Sequence, residues 1–285
     1  MFDFSTTLLS AAATRLILFA TVFVAMAIAE AALPRRGRSF SRWSRWPSNL
    51  GISALNNILV EIVIPVTAIS VALFVDDRRI GLLYFLAVPR AIALVSAVLA
   101  LDLAIYLQHV MFHWLPALWR LHRMHHADLD FDVTTGLRFH PGEVVISMLI
   151  KMGVVLAIGA SAGSVVTFEV LLNATSMFNH GNLALPSRID KALRWILVTP
   201  DMHRVHHSIV RDETNSNFGF NLPWWDWMMR TYRAEPAAGH IAMTIGLDQF
   251  RAPEELGLLP MLTQPFRGET GNYPIASRDR NGVQP

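Results

Sequence analysis

Long apolar runs, each interrupted at a few polar positions, organise this chain. Residues 16–33 are apolar except for Thr21 and Glu30, a stretch long enough to cross a bilayer as a helix. No basic segment or clear cleavage site accompanies it, so a retained helix is expected rather than a signal peptide. Arg35, Arg36, Arg38, Arg42 and Arg45 follow, interleaved with Trp43 and Trp46. Positive charge and tryptophan at a helix end mark a cytoplasmic interface, which places the N-terminus on the other side. Residues 52–75 read as a second span, with Asn56, Asn57 and Glu61 inside it and Asp76-Asp77-Arg78-Arg79 closing it. Residues 81–88 are a short interfacial stretch, and 91–107 a third span running back to the cytoplasmic side. Residues 144–160 and 162–178 are short apolar segments around a Gly/Ser break, the pattern of a helical hairpin that enters the membrane and returns. The cluster at Trp224, Trp225 and Trp227 reads as an interfacial belt.

Composition supports this picture. Hydrophobic residues make up 53% and charged residues 16% of the 285, and mean hydropathy is +0.37. Soluble domains carry about a quarter charged residues. A net charge of +2 without a long basic run argues against a nucleic-acid partner. There is no cysteine, which excludes disulfides, thiolate zinc sites and iron–sulfur clusters. The expectation is an all-α integral membrane protein. Residues 1–233 would form one membrane-embedded domain, and 234–285 a polar cytoplasmic tail whose last 15–20 residues are disordered.

Histidine spacing turns this scaffold into a candidate metalloprotein. Eight of the 11 histidines fall in three boxes: His109 and His113; His122, His125 and His126; His203, His206 and His207. On a helix, positions i, i+3 and i+4 share one face, so each of the two larger boxes aims three imidazoles at one point. A lone histidine is usually a hydrogen-bonded core residue; eight in this pattern point to metal. They are too many for one ion and suit two, held in a histidine-rich helical cap at the cytoplasmic surface. Imidazole suits iron, copper, zinc and nickel, so ligand type does not choose the metal. Haem fits poorly: His140-Pro141-Gly142 has the start of a haem-binding motif, but Glu143 breaks it. A metal transporter would place ionisable groups near the bilayer midplane in broken spans; that alternative and a zinc-dependent hydrolase remain open at this point. Asp102, Tyr106, His109 and His113 form one helical stripe. Asp102 lies about 10 Å from His109 along the axis, so it would have to support a ligand on another helix.

Taken in order, the boxes resemble those of the fatty acid hydroxylase and sterol desaturase superfamily. The flanks resemble it too: Asp102, Tyr106, Trp119-Arg-Leu-His, Arg138-Phe-His-Pro141 and Pro200-Asp-Met-His. The resemblance covers about residues 101–232. It implies a membrane oxidoreductase with two non-haem iron ions that uses O2 to hydroxylate or desaturate a lipid C–H bond. It places the eight boxed histidines and His180 as metal ligands. Some members carry a further histidine four residues before the last of these, where this chain has Ser176. It leaves Asp102, Tyr106, His140, Asn179 and Asp201 as positions that would support the ligands, with His140 outside the metal site itself. Electrons would come from a separate carrier, a ferredoxin or a cytochrome b5-type protein with its reductase, because the chain has no cysteine cluster or flavin fingerprint.

Overall fold

The computed structural model describes residues 4–279, whose regular elements are all helices, with no strand among them. The main elements are α1 (Phe4–Ala32), α2 (Arg42–Val63), α3 (Ala68–Arg78), α4 (Arg90–Trp114), α6 (Pro141–Ile158) and α7 (Ala162–Asn179); the short α5 (Pro116–His126) and α8 (Pro200–His206) carry two of the boxes. Two helices, α4 and α6, are long and apolar enough to cross a membrane alone, and the α2–α3 pair makes a third crossing if counted as one span.

The run at 52–75 is therefore not one straight helix. It breaks between Val63 and Ala68, and the axis bends by 43°. Pro65 lies in the break, and its missing N–H and ring cannot continue a helix. The Thr67 side chain then caps α3 by accepting from the Ser70 N–H. The expected hairpin is present as α6 and α7, joined through Gly159, which ends α6 at φ +77°. That tip packs on the turn after α3 so closely that a Cβ at Gly81 would sit 2.3 Å from the Gly159 nitrogen. Glycine is required there, and Gly81 also holds a positive φ of 101°.

Small residues let the spans approach. Ala68, Ala72, Ala97 and Ala160 are buried with Leu101, Val155 and Phe168 where α3, α4, α6 and α7 meet. At the other end of these helices, Leu115 and Pro116 turn the chain directly from α4 into α5, with Pro116 in the first turn of α5. This folds the first box onto the second.

The chain after Ala234 is not a free tail. Leu247 and Tyr273 are buried, with the Tyr273 ring 5.6 Å from that of Trp119. The Arg123 guanidinium of α5 donates to the carbonyls of Gln264, Arg267 and Glu269. Ordered packing continues to Asp279; the remaining residues expected to be disordered, 280–285, lie outside the described residues. Polarity misled the expectation because these groups are satisfied by main-chain hydrogen bonds to the cap.

Candidate metal centre

Four helices deliver nine buried histidines to one region. His109 and His113 come from the last turns of α4, and His122, His125 and His126 from α5. His180 caps the C-terminus of α7; His203 and His206 lie on α8, with His207 at its cap. They sort into two nests. His109, His113, His122, His126 and His206 form one; His125, His180, His203 and His207 form the other. Within the first, the Nε2 atoms of the pairs 109–122, 109–206, 113–126 and 122–126 lie 3.0–3.2 Å apart. In the second, His180 Nε2 lies 3.2 Å from that of His125 and 3.1 Å from that of His203.

For the pairs 109–122, 109–206 and 125–180 those separations are not hydrogen bonds, because Nδ1 partners settle the tautomers of both rings; His126 and His203 have no such partner. His109, His206, His125 and His180 direct Nδ1 at the carbonyls of Phe218, Ser216, Arg138 and Ser176, at 2.7–3.2 Å. His122 Nδ1 lies 2.7 Å from Glu143 Oε1. His113 Nδ1 faces Asn215 Oδ1 at 3.1 Å, an orientation fixed because the Asn215 amide N–H donates to Tyr273 O. Each partner can only accept, so each Nδ1 carries the proton and each Nε2 a lone pair. Lone pairs crowded at 3 Å repel unless a cation lies between them. Nitrogens about 2.0–2.1 Å from a shared ion are about 3 Å apart, so both nests fit a metal. His207 supports this, since both its ring nitrogens are buried without a hydrogen-bond partner.

The surroundings keep the rings neutral. Burial, reinforced by neighbouring imidazoles, holds His125, His126, His203, His206 and His207 well below the usual histidine range. Burial brings His180 down to about 3. Neutral imidazole is the ligating form. Phe139 stacks on His125 with centroids 4.5 Å apart, and Phe131 and Phe218 cover other faces of the nests. A cavity of about 260 Å³ reaches the first nest at His109 and His122.

Under the second nest lies a buried ion network. Arg45 of α2 donates to Asp128 at 2.6 and 2.8 Å and to Asp132 at 2.6 Å. Burial alone would raise the Asp128 carboxyl, but Arg45 and Arg138 hold it down at about 2. This fastens the 127–138 loop, whose last carbonyl orients His125.

The other expected support residues act elsewhere. Asp102 accepts from Trp225 Nε1 at 2.8 Å and reaches no imidazole, because the 221–227 turn packs beside it. The Tyr106 hydroxyl pairs with Thr231, and the Asn179 amide donates to Phe220 O. Asp201 pairs with Arg35 and Arg204. His140 lies outside both nests and caps α6 by accepting from the Gly142 N–H. Ser176 supplies its carbonyl to His180 and its hydroxyl to Gly136 O. Sequence reasoning missed Glu143 and Asn215 as partners of His122 and His113. Glu143, four residues before the next polar position of an apolar helix, was the visible signal; the carbonyl partners had none.

The family model described as fatty acid hydroxylase matches residues 94–231, a range that contains all nine histidines. Over these residues the chain is similar to fatty acid hydroxylases. It is also similar to individual proteins. An ornithine lipid hydroxylase of Rhizobium tropici is 28% identical over 178 residues, 62% of this chain and 51% of that protein. Alkylglycerol monooxygenase from Homo sapiens is 29% identical over 145 residues, 49% of this chain and 30% of its own. The Xenopus tropicalis protein of that name is 31% identical over 141 residues, again covering 30% of its length. The chain thus spans about half the length of the first relative and less than a third of the other two. No solved structure matches it. Arg45 and the residues that wrap α5 lie outside the matched range, yet complete the setting of the nests.

Proposed function

We propose that this chain is a membrane lipid hydroxylase with two iron ions, the five-histidine nest holding one and the four-histidine nest the other. The observation that carries the reading is the pair of converging Nε2 sets, six of whose nine rings have the Nδ1 proton tied down. The overall reaction is R–H + O2 + 2 e⁻ + 2 H⁺ → R–OH + H2O, with electrons from a separate carrier protein. Bound iron would supply the redox chemistry that no side chain here has. Glu143 and Asn215 orient His122 and His113 and keep each ring in the ligating tautomer. The phenylalanines exclude water from the nests. The activities of the relatives, hydroxylase and monooxygenase, favour hydroxylation over desaturation.

Purified from iron-replete cells, the protein should carry close to two irons per chain by elemental mass spectrometry. Lipid extracts from cells expressing it should gain a species about 16 mass units heavier, as the added oxygen requires. A single tightly bound ion in the fully folded protein sinks the two-iron reading.

The nests are proposed to face the cytoplasm, with the N-terminus outside. In the folded chain Arg35 pairs with Asp201, Arg42 with Glu30 and Arg45 with Asp128, so much of the positive charge that motivates this orientation is committed to the cap. A direct test is therefore needed. Cysteine placed singly at the exposed Ser39 should react with an impermeant maleimide only from the cytoplasm, and one at exposed Asp77 only from outside. The reverse pattern overturns the orientation.

A further inference from the structure

The cavity beside the first nest shows which end of a lipid it suits. It lies between α2, α4, α6 and α7. Helix α6 has a mean hydropathy of 1.8, and its polar side chains Glu143, Ser147 and Lys151, four residues apart, form one stripe that lines this cavity. Asn56 of α2, Gln108 of α4 and Asn173 of α7 line it as well. Polar groups within membrane helices are costly and belong where they meet protein or ligand.

Here the protein meets them only in part. The Asn56 amide N–H donates to Phe139 O at 2.8 Å, which fixes that amide and leaves Oδ1 without a donor. Glu143 Oε1 faces His122, while Oε2 has no partner. Gln108 Nε2 donates to Ser147 Oγ at 2.7 Å, and its Oε1 has none. Three residues of one cavity wall thus each hold a buried, unmatched acceptor. A hydrocarbon tail would leave all three unmatched, and unmatched buried acceptors are destabilising. A group bearing O–H or N–H donors matches them.

We propose that this cavity takes the donor-bearing polar head of the lipid, through Asn56 and Gln108, so that oxygen enters a C–H bond in or beside the head rather than far along an alkyl tail. The assignment of the reacting bond rests on the hydroxylase reading; head binding itself does not. Lys151, 2.9 Å from Glu169 at the cavity wall, adds an ion pair suited to a polar rather than a hydrocarbon guest.

The test measures binding to the zinc-loaded, redox-inert protein in detergent. The probes are 1-O-hexadecylglycerol, its dimethyl ether, Nα-palmitoyl-ornithine and palmitic acid. At least one of the diol and the ammonium lipid should bind about tenfold or more tightly than the dimethyl ether and the fatty acid, as one or two matched hydrogen bonds imply. Which of the two leads tells hydroxyl from ammonium recognition. Asn56→Leu and Gln108→Leu should each weaken the preferred lipid about tenfold and leave the dimethyl ether unchanged, with metal content retained and the melting temperature lowered only by the loss of one hydrogen bond each. Equal binding of all four lipids overturns the proposal, as does an unchanged affinity in both folded variants. If a variant does not fold, the lipid series on the native chain decides. Head-selective binding without any oxygenated product would count against the hydroxylase reading alone.

Discussion

Replacing His180 with alanine should lower metal content from about two ions per chain to about one and abolish turnover. His180 is one of only four imidazoles in its nest, and its Nδ1–H is held by Ser176 O at 2.8 Å. Three remaining ligands, one of them His207 without a hydrogen-bonded ring nitrogen, hold an ion poorly; loss of even an orienting partner typically costs 10–100-fold in affinity. The paired control is His140→Ala. That ring lies outside both nests, and its removal costs a helix cap, about 1 kcal/mol. It should retain both ions. Elemental analysis of the two variants decides: a His140→Ala protein that loses metal while His180→Ala keeps it reverses the assignment.

The largest effect on stability should come from Arg45→Met. Arg45 is fully buried and bonds two fully buried carboxylates. Its loss leaves Asp128 with Arg138 at 4.0 Å as its remaining cation, beside hydrogen bonds from Asn49 and Thr135, and Asp132 with the Trp46 Nε1–H and Thr134. Breaking a buried pair in this way costs about 3–5 kcal/mol, or a fall of about 10 °C in melting midpoint for a chain of this size. Adding Asp132→Asn should recover part of the loss, because one of the uncompensated charges is then gone. An unchanged midpoint in Arg45→Met would show that the network does not hold the loop.

Much of this was legible in the sequence, for reasons that can be named. The boxes could be read because helical periodicity places i, i+3 and i+4 on one face, and the hairpin because Gly159–Gly163 interrupts two apolar runs. Which box joins which nest could not be read: His125 and His126 are neighbours in sequence but belong to different nests, a split set by how α5 crosses α4 and α8. Asp102 sits on the same stripe as His109, yet spacing carries no information about the Trp225 indole that occupies it. The break at Pro65 was visible and outweighed by the apolar run around it. Four of the imidazole partners are main-chain carbonyls, which any residue provides and no sequence advertises.

The late wrap around α5 has a consequence for biogenesis. Arg123, one residue from His122, is held by the carbonyl of Gln264, 141 residues further along the chain, and the stacking of Trp119 waits for Tyr273. During synthesis, α5 can enter the bilayer surface and meet α4 long before these anchors have left the ribosome. The final shape of the nests is thus set only once residues 264–273 have been made and have folded back. Ion insertion then follows that step, and a nascent polypeptide stalled before Gln264 should emerge metal-free.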